Sequence, residues 1–246
     1  MIRRLAALIC LVALTVAGCG DSTVTVDVFA ASSLTDVFTE LEQRFEADNP
    51  GVDIRLNLAG SDTLRRQIND GADAHVFAPA SIDLFDGLSL DGRAVEPIPY
   101  ASNQLEIITE RDRGLASRVR AGDLAGLVVA RCSPGVPCGD AADRLIESLG
   151  LDLSDATVTS EQNVRAVLSK VELGEADVGF VYRSDVNVLS DDVMALDVEA
   201  DSTKVTLAIG VLTSAGDTAG NAAAAFVAFV ISEADGPVFF GFDPAP

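Results

Sequence analysis

The feature that most constrains the fold is a transition that recurs four times, in which a short β-branched run gives way to a segment of helical periodicity. Thr23–Ala30 precedes Leu34–Ala47, Val52–Leu58 precedes Thr63–Asn69, Leu127–Ala130 precedes Ala141–Leu149, and Ala156–Thr159 precedes Val164–Leu173. Spacings such as Leu41 and Phe45 place apolar side chains on one helical face, whereas the strand runs alternate or are wholly apolar. A chain built this way forms α/β layers, with mainly parallel sheets flanked by helices. Further strands are expected at Ala74–Ala78 and Val178–Tyr182, each after a helix stopped by glycine, Gly71 and Gly174. The length of 246 residues accommodates one large core or two modest ones, and two lobes are expected. The extended runs Gln104–Thr109 and Lys204–Leu212 bracket the middle of the chain and read as crossings between them. This places lobe I at 23–102 plus 212–246 and lobe II at 103–211. The run Ala222–Ala225, followed by Phe226, Val227, Phe229 and Val230, reads as a terminal helix facing the core.

The N-terminus carries a processing signal. Arg3 and Arg4 open it, an apolar run from Leu5 to Gly18 follows, and small residues precede Cys19. The run is shorter than the roughly 20 residues a membrane helix needs. Val16-Ala17-Gly18-Cys19 resembles the bacterial lipobox, which implies cleavage after residue 18, a lipid on Cys19 and a mature chain tethered outside the inner membrane. The net charge is −21 for the whole chain and −23 once residues 1–18 are removed, since they carry two arginines and no acid. Such a surface excludes nucleic acid and anionic lipid as partners. It repels small anions too, so any anion site must be locally electropositive, which screening over about 8–10 Å permits. Cys132 and Cys138 remain as an exported pair. An oxidising compartment favours their disulfide; free thiols are the alternative, and no histidine lies nearby to complete a zinc set.

In open α/β sheets, ligands collect beyond the carboxyl ends of strands, where helices begin. Four such starts stand out: Ala30-Ala31-Ser32-Ser33-Leu34-Thr35-Asp36, Ala59-Gly60-Ser61-Asp62-Thr63-Leu64, Val136-Pro137-Cys138-Gly139-Asp140 and Ser160-Glu161-Gln162-Asn163-Val164-Arg165. A serine at one helix start is ordinarily a cap. Two starts from each lobe facing one cleft make an anion site without any charged side chain, because the dipoles and unsatisfied amides point the same way.

The strings VFAASSLTDVF, AGSDTLRRQI, GADAHVFAPAS, VPCGDAA and NVRAVLSKVELGEADVGFVYRSD resemble, in order and spacing, the molybdate-binding proteins of ATP-binding-cassette importers. The resemblance covers nearly the whole mature chain. It implies a hinged, two-lobe periplasmic-binding fold of type II whose lobes close over molybdate or tungstate, held by hydrogen bonds alone, with no metal ligand and no cofactor. Carried over by position, Ser33 and Ser61 would donate from lobe I, and the amides of Cys138 and Val164 with the Tyr182 hydroxyl from lobe II. It further implies a permease and an ATPase subunit as partners, membrane contact through lipid only, and a monomer. Cys138 stands where the family commonly has a smaller residue, and Asp62 where it often has serine; Asp62 is expected to point to solvent. Sulfate or phosphate capture by the same design is the nearest rival. Sugar binding is disfavoured by the absence of tryptophan and the presence of only two tyrosines. A hydrolase using Ser33 or Ser61 with His75, the single histidine, lacks any G-x-S-x-G elbow.

Overall fold

The structure, a computed structural model, describes residues 23–90, 95–111, 113–196, 198, 201–212 and 218–246. The proposed export segment and Cys19 lie outside the described residues. The chain runs β1 (Val24–Ala31), α1 (Thr35–Asp48), β2 (Val52–Ala59), α2 (Ser61–Asn69), β3 (Val76–Ala78), β4 (Ile98–Asn103), β5 (Leu105–Glu110) and α3 (Leu115–Arg120). It continues through β6 (Val128–Cys132), α4 (Pro137–Leu149), β7 (Thr157–Glu161), α5 (Val164–Glu172), β8 (Val178–Tyr182), β9 (Val193–Leu196), β10 (Val205–Val211), α6 (Thr218–Glu233) and β11 (Asp243–Pro244). Among the described residues, no helix is long and apolar enough to cross a membrane.

Two sheets result, a six-stranded one ordered β11-β4-β10-β3-β1-β2 and a five-stranded one ordered β7-β6-β8-β5-β9. β1 runs parallel to β2 and β3, and β6 runs parallel to β7 and β8, as strands joined through helices must. The remaining pairings are antiparallel, so both sheets are more mixed than the helical alternation alone suggests. The reason is connectivity. β5 and β10 enter their sheets directly from the other sheet's territory, without a crossover helix to turn them round.

Gln104 separates β4 in the first sheet from β5 in the second, so the outward crossing lies where the extended run begins. The return differs from expectation. Val205–Val211, assigned from sequence to lobe II, pairs with β3 and β4 and is therefore a strand of the first sheet. The crossing precedes that strand rather than forming it. Along β1, Val26, Val28 and Ala30 are fully buried. Helix α6 seals the outer side of that sheet, where Phe226 meets Phe38 and Phe45 edge-on at 6.2 and 5.2 Å between ring centroids. β8 is buried along its whole length, which explains why Val178–Tyr182 reads as a continuous apolar run.

Candidate functional site

The four strand-to-helix junctions converge. One cavity, about 20 Å³ counted as space for the centre of a water molecule, is lined by Ala31, Ser32 and Ser33, by Gly60 and Ser61, by Val136 and Cys138, and by Asn163, Val164 and Tyr182, among others. All five of the donors expected from sequence, Ser33, Ser61, Cys138, Val164 and Tyr182, thus surround a single space. Among the described residues, no charged side chain lines it.

Each junction is built for close approach. The chain leaves β1 through a 3-10 turn at Ser32–Leu34, and Ser33 is 4% exposed with its Oγ lacking a partner among the described residues. Helix α2 begins at Ser61, whose Oγ accepts the Ala80 amide at 3.0 Å and keeps its proton free to donate. Helix α4 starts at Pro137, four residues before the periodicity suggests, because proline suits the first helical position. Pro137 has no N–H, and Gly139 and Asp140 both donate to the Val136 carbonyl, at 2.8 and 3.0 Å. That leaves the Cys138 N–H without an intrahelical acceptor. Asn163 caps α5 by accepting the Ala166 amide at 3.0 Å, so the Val164 N–H, at the helix's first position, is likewise unclaimed.

Tyr182 ends β8 fully packed, and its hydroxyl has no partner among the described residues. Burial first, and Asp185 second, push its phenol well above the ordinary tyrosine range, so it stays protonated and available as a donor. Cys132 and Cys138 are joined by a disulfide with Cα atoms 5.7 Å apart. Behind it, the buried Arg131 donates to the Cys132 carbonyl at 3.2 Å and the Gly139 carbonyl at 2.9 Å, and pairs with Asp143 at 2.6 Å. Gly139 has no room for a Cβ, which would overlap the Ser133 backbone carbonyl. The loop presenting Cys138 is therefore fixed from three sides.

The acidic residues near the cavity are turned away from it. Asp36, Asp62 and Asp140 occupy first turns, where they favour the helices but would oppose an anion. Asp36 pairs with Arg165, Asp62 pairs with Arg65 at 2.8 Å, and Asp140 accepts the Gly135 amide at 2.8 Å. Asp62 does not point to solvent as expected. Arg65, one turn on, folds back over it, the carboxylate is buried, and it does not line the cavity. His75 is equally removed: its Nδ1 accepts the Asp27 amide at 3.0 Å, and it is absent from the cavity wall, so neither serine has a base.

Sequence reading missed Gly60 as a contact. A Cβ there would lie 2.6 Å from the Gln162 backbone carbonyl, which belongs to the opposite sheet's side of the cleft. The glycine was visible in Ala59-Gly60-Ser61, but the surface it faces was not. A prediction arises at Ser61. Its replacement by alanine strands the buried Ala80 amide, so Ser61→Ala is expected to lower unfolding free energy by about 1–3 kcal/mol in urea titrations. An unchanged midpoint would show that the Ser61–Ala80 bond carries no stability.

The family of bacterial extracellular solute-binding proteins matches residues 26–239. The molybdate-binding protein ModA of Mycobacterium tuberculosis is 40% identical over 162 residues, covering 64% of this chain and 60% of that one. The chain thus spans less than two thirds of that relative's length. The putative ABC transporter substrate-binding lipoprotein YvgL of Bacillus subtilis is 30% identical over 188 residues, covering 71% of this chain and 72% of that one. Among solved structures, the sulfate-binding protein SubI from Mycobacterium tuberculosis superposes with a TM-score of 0.70 over 89% of this chain and 86% of that one, at 18% identity, a likeness of fold. Two mixed sheets flanked by helices, with the junctions of both meeting at one cavity, are the type II periplasmic-binding architecture, and the chain belongs to the bacterial extracellular solute-binding protein family.

Proposed function

We propose that this protein captures molybdate or tungstate outside the cell membrane and hands it to an ATP-binding-cassette importer. The observation that carries the reading is a pair of buried hydroxyls, Ser33 Oγ and Tyr182 OH, which come from opposite sides of the cleft, border one cavity and have no partner among the described residues. Buried polar atoms are normally satisfied, and two orphan hydroxyls that border the same cavity are accounted for together by one ligand that accepts from both. The Ser61 hydroxyl and the Cys138 and Val164 amides add three donors.

A wall rich in hydroxyl and amide donors, with no carboxylate among its described residues, suits a fully ionised oxyanion and offers no carboxylate to take the proton of hydrogen phosphate. The volume of about 20 Å³ corresponds to a sphere of roughly 3 Å radius once a water radius is added back, the size class of one tetrahedral oxyanion. Charge-assisted hydrogen bonds contribute about 1.5–3 kcal/mol each. Several together exceed the ~8 kcal/mol that a micromolar dissociation constant represents. The similarity to ModA favours molybdate or tungstate over sulfate. Delivery to a permease and its ATPase follows from the same relatives, and a lipid on Cys19 is supported by the lipobox-like sequence and the lipoprotein relative YvgL.

Titration calorimetry of the mature domain against molybdate, tungstate, sulfate and phosphate tests the proposal. Molybdate and tungstate are expected to bind below about 1 µM, with sulfate and phosphate weaker by roughly a hundredfold or more, a gap of nearly 3 kcal/mol. Equal binding of sulfate would move the assignment to a sulfate-type protein. Binding of none would remove the oxyanion reading.

A further inference from the structure

One guanidinium touches the stretches that supply donors from both sides of the cleft. Arg165 follows Val164 in α5, and its Nη2 is ion-paired with Oδ2 of Asp36, three residues after Ser33. Its Nε lies 2.8 Å from Oδ1 of Asp185, three residues after Tyr182. Asp36 belongs to α1 on the first sheet, whereas Arg165 and Asp185 belong to the second.

The two carboxylates differ in what they demand of the arginine. Asp185 is fully buried, and its Oδ2 accepts the Tyr182 amide at 3.1 Å. Burial pushes its carboxyl up to about 7 while Arg165 pulls in the opposite direction. Arg165 and Asp185 lie in the same lobe, so their contact persists whether the cleft is open or shut. Asp36 is half-exposed and anchored to the other lobe, so it is the partner that an opening motion would take away. The ion pair between Arg183 and Asp243 also joins the two sheets, but Asp243 is paired with Ser102 in β4, next to the crossing at Gln104, where opening displaces little.

We infer that Arg165 is a closure latch, a positioning residue that clasps Asp36 when the two lobes meet and so slows release of the captured anion. The inference rests on the oxyanion reading above. It also accounts for a carboxylate kept one turn from Ser33 in a protein already strongly acidic: its charge is spent on the opposite lobe rather than on the ligand.

The sign of one experiment separates the latch from simple electrostatics. Removing a negative charge near an anion site strengthens binding through Coulomb's law alone. The latch requires the reverse. Asp36→Asn is expected to raise the molybdate dissociation constant by roughly three- to tenfold, through a faster off-rate measured by rapid filtration with molybdenum counted by mass spectrometry. The on-rate is expected to stay unchanged, and the ligand-free domain to lose no more than the ~1 kcal/mol that a charge in the first turn of α1 contributes, since a merely structural residue would move stability without moving the off-rate.

Arg165→Gln alone strands Asp185 and endangers the fold, so the arginine is tested together with Asp185→Asn. In that background, adding Asp36→Asn is expected to change the off-rate by less than about twofold, because coupled partners are not additive. Unchanged or tighter molybdate binding by Asp36→Asn overturns the latch, as does full additivity of the combined variant. If the unmodified protein binds no oxyanion, the capture reading falls first, an outcome distinct from a latch failure in a protein that does bind.

Discussion

Gly60→Ala is expected to leave the protein folded and to weaken oxyanion binding by roughly a hundredfold or more. The backbone at Gly60 has φ −62° and ψ 135°, a conformation open to any residue, so alanine introduces no torsional strain. Alanine caps a helix less well than glycine, a loss of about 1 kcal/mol or less, which the stiffer unfolded chain partly offsets. The effect lies across the cleft. The added methyl would sit 2.6 Å from the Gln162 carbonyl and 3.5 Å from the Asn163 Cβ. Gln162 joins β7 to α5 and cannot yield without shifting the cap that orients Val164. The cleft would have to stay ajar, and Ser33 and Ser61 would then stand too far from Cys138 and Val164 for all of them to reach one small ion. Losing one or two charge-assisted bonds at about 1.5–3 kcal/mol each gives the expected factor. Calorimetry with molybdate, beside thermal unfolding of the ligand-free domain, reads both halves of this claim. Binding within about fivefold of the parent would mean that contact across Gly60 is not needed for capture.

What was legible in the sequence was local. Strand and helix alternate because each segment declares its period within a dozen residues, and serine, glycine and proline mark where helices start. Those marks sufficed to single out the four helix-start stretches, and the family resemblance then named Ser33, Ser61, Cys138, Val164 and Tyr182 within or beside them. What was not legible depended on partners far along the chain. The antiparallel entry of β10 is fixed by β3 and β4, more than a hundred positions earlier. Asp36 and Arg165 are separated by 129 positions, and nothing near either residue announces the other. Asp62 shows the limit at shorter range: an acid in a first turn reads as solvated, yet Arg65 could equally fold back over it, and which occurs is decided by packing of the arginine against Gly87. The short strands Val193–Leu196 and Asp243–Pro244 escaped for a related reason, since only their position at sheet edges defines them.

Replacing both orphan hydroxyls, in the double variant Ser33→Ala/Tyr182→Phe, is expected to abolish tight binding without destabilising the ligand-free protein. The two effects point apart, and that divergence marks a binding group. A structural hydroxyl has a protein partner, as Ser61 has in the Ala80 amide, and its removal leaves that partner stranded. Ser33 Oγ and Tyr182 OH leave nothing behind among the described residues, while the phenyl ring of phenylalanine preserves the packing of the tyrosine. Stability in urea should therefore stay level or rise slightly. Toward molybdate, two charge-assisted bonds vanish, one from each lobe, which lowers affinity by roughly two to four orders of magnitude. A fall in unfolding free energy beyond about 1 kcal/mol would show that these hydroxyls serve the fold through bonds of their own. An unaltered dissociation constant would place the ligand elsewhere, because no other buried hydroxyls face each other across this cavity without partners among the described residues.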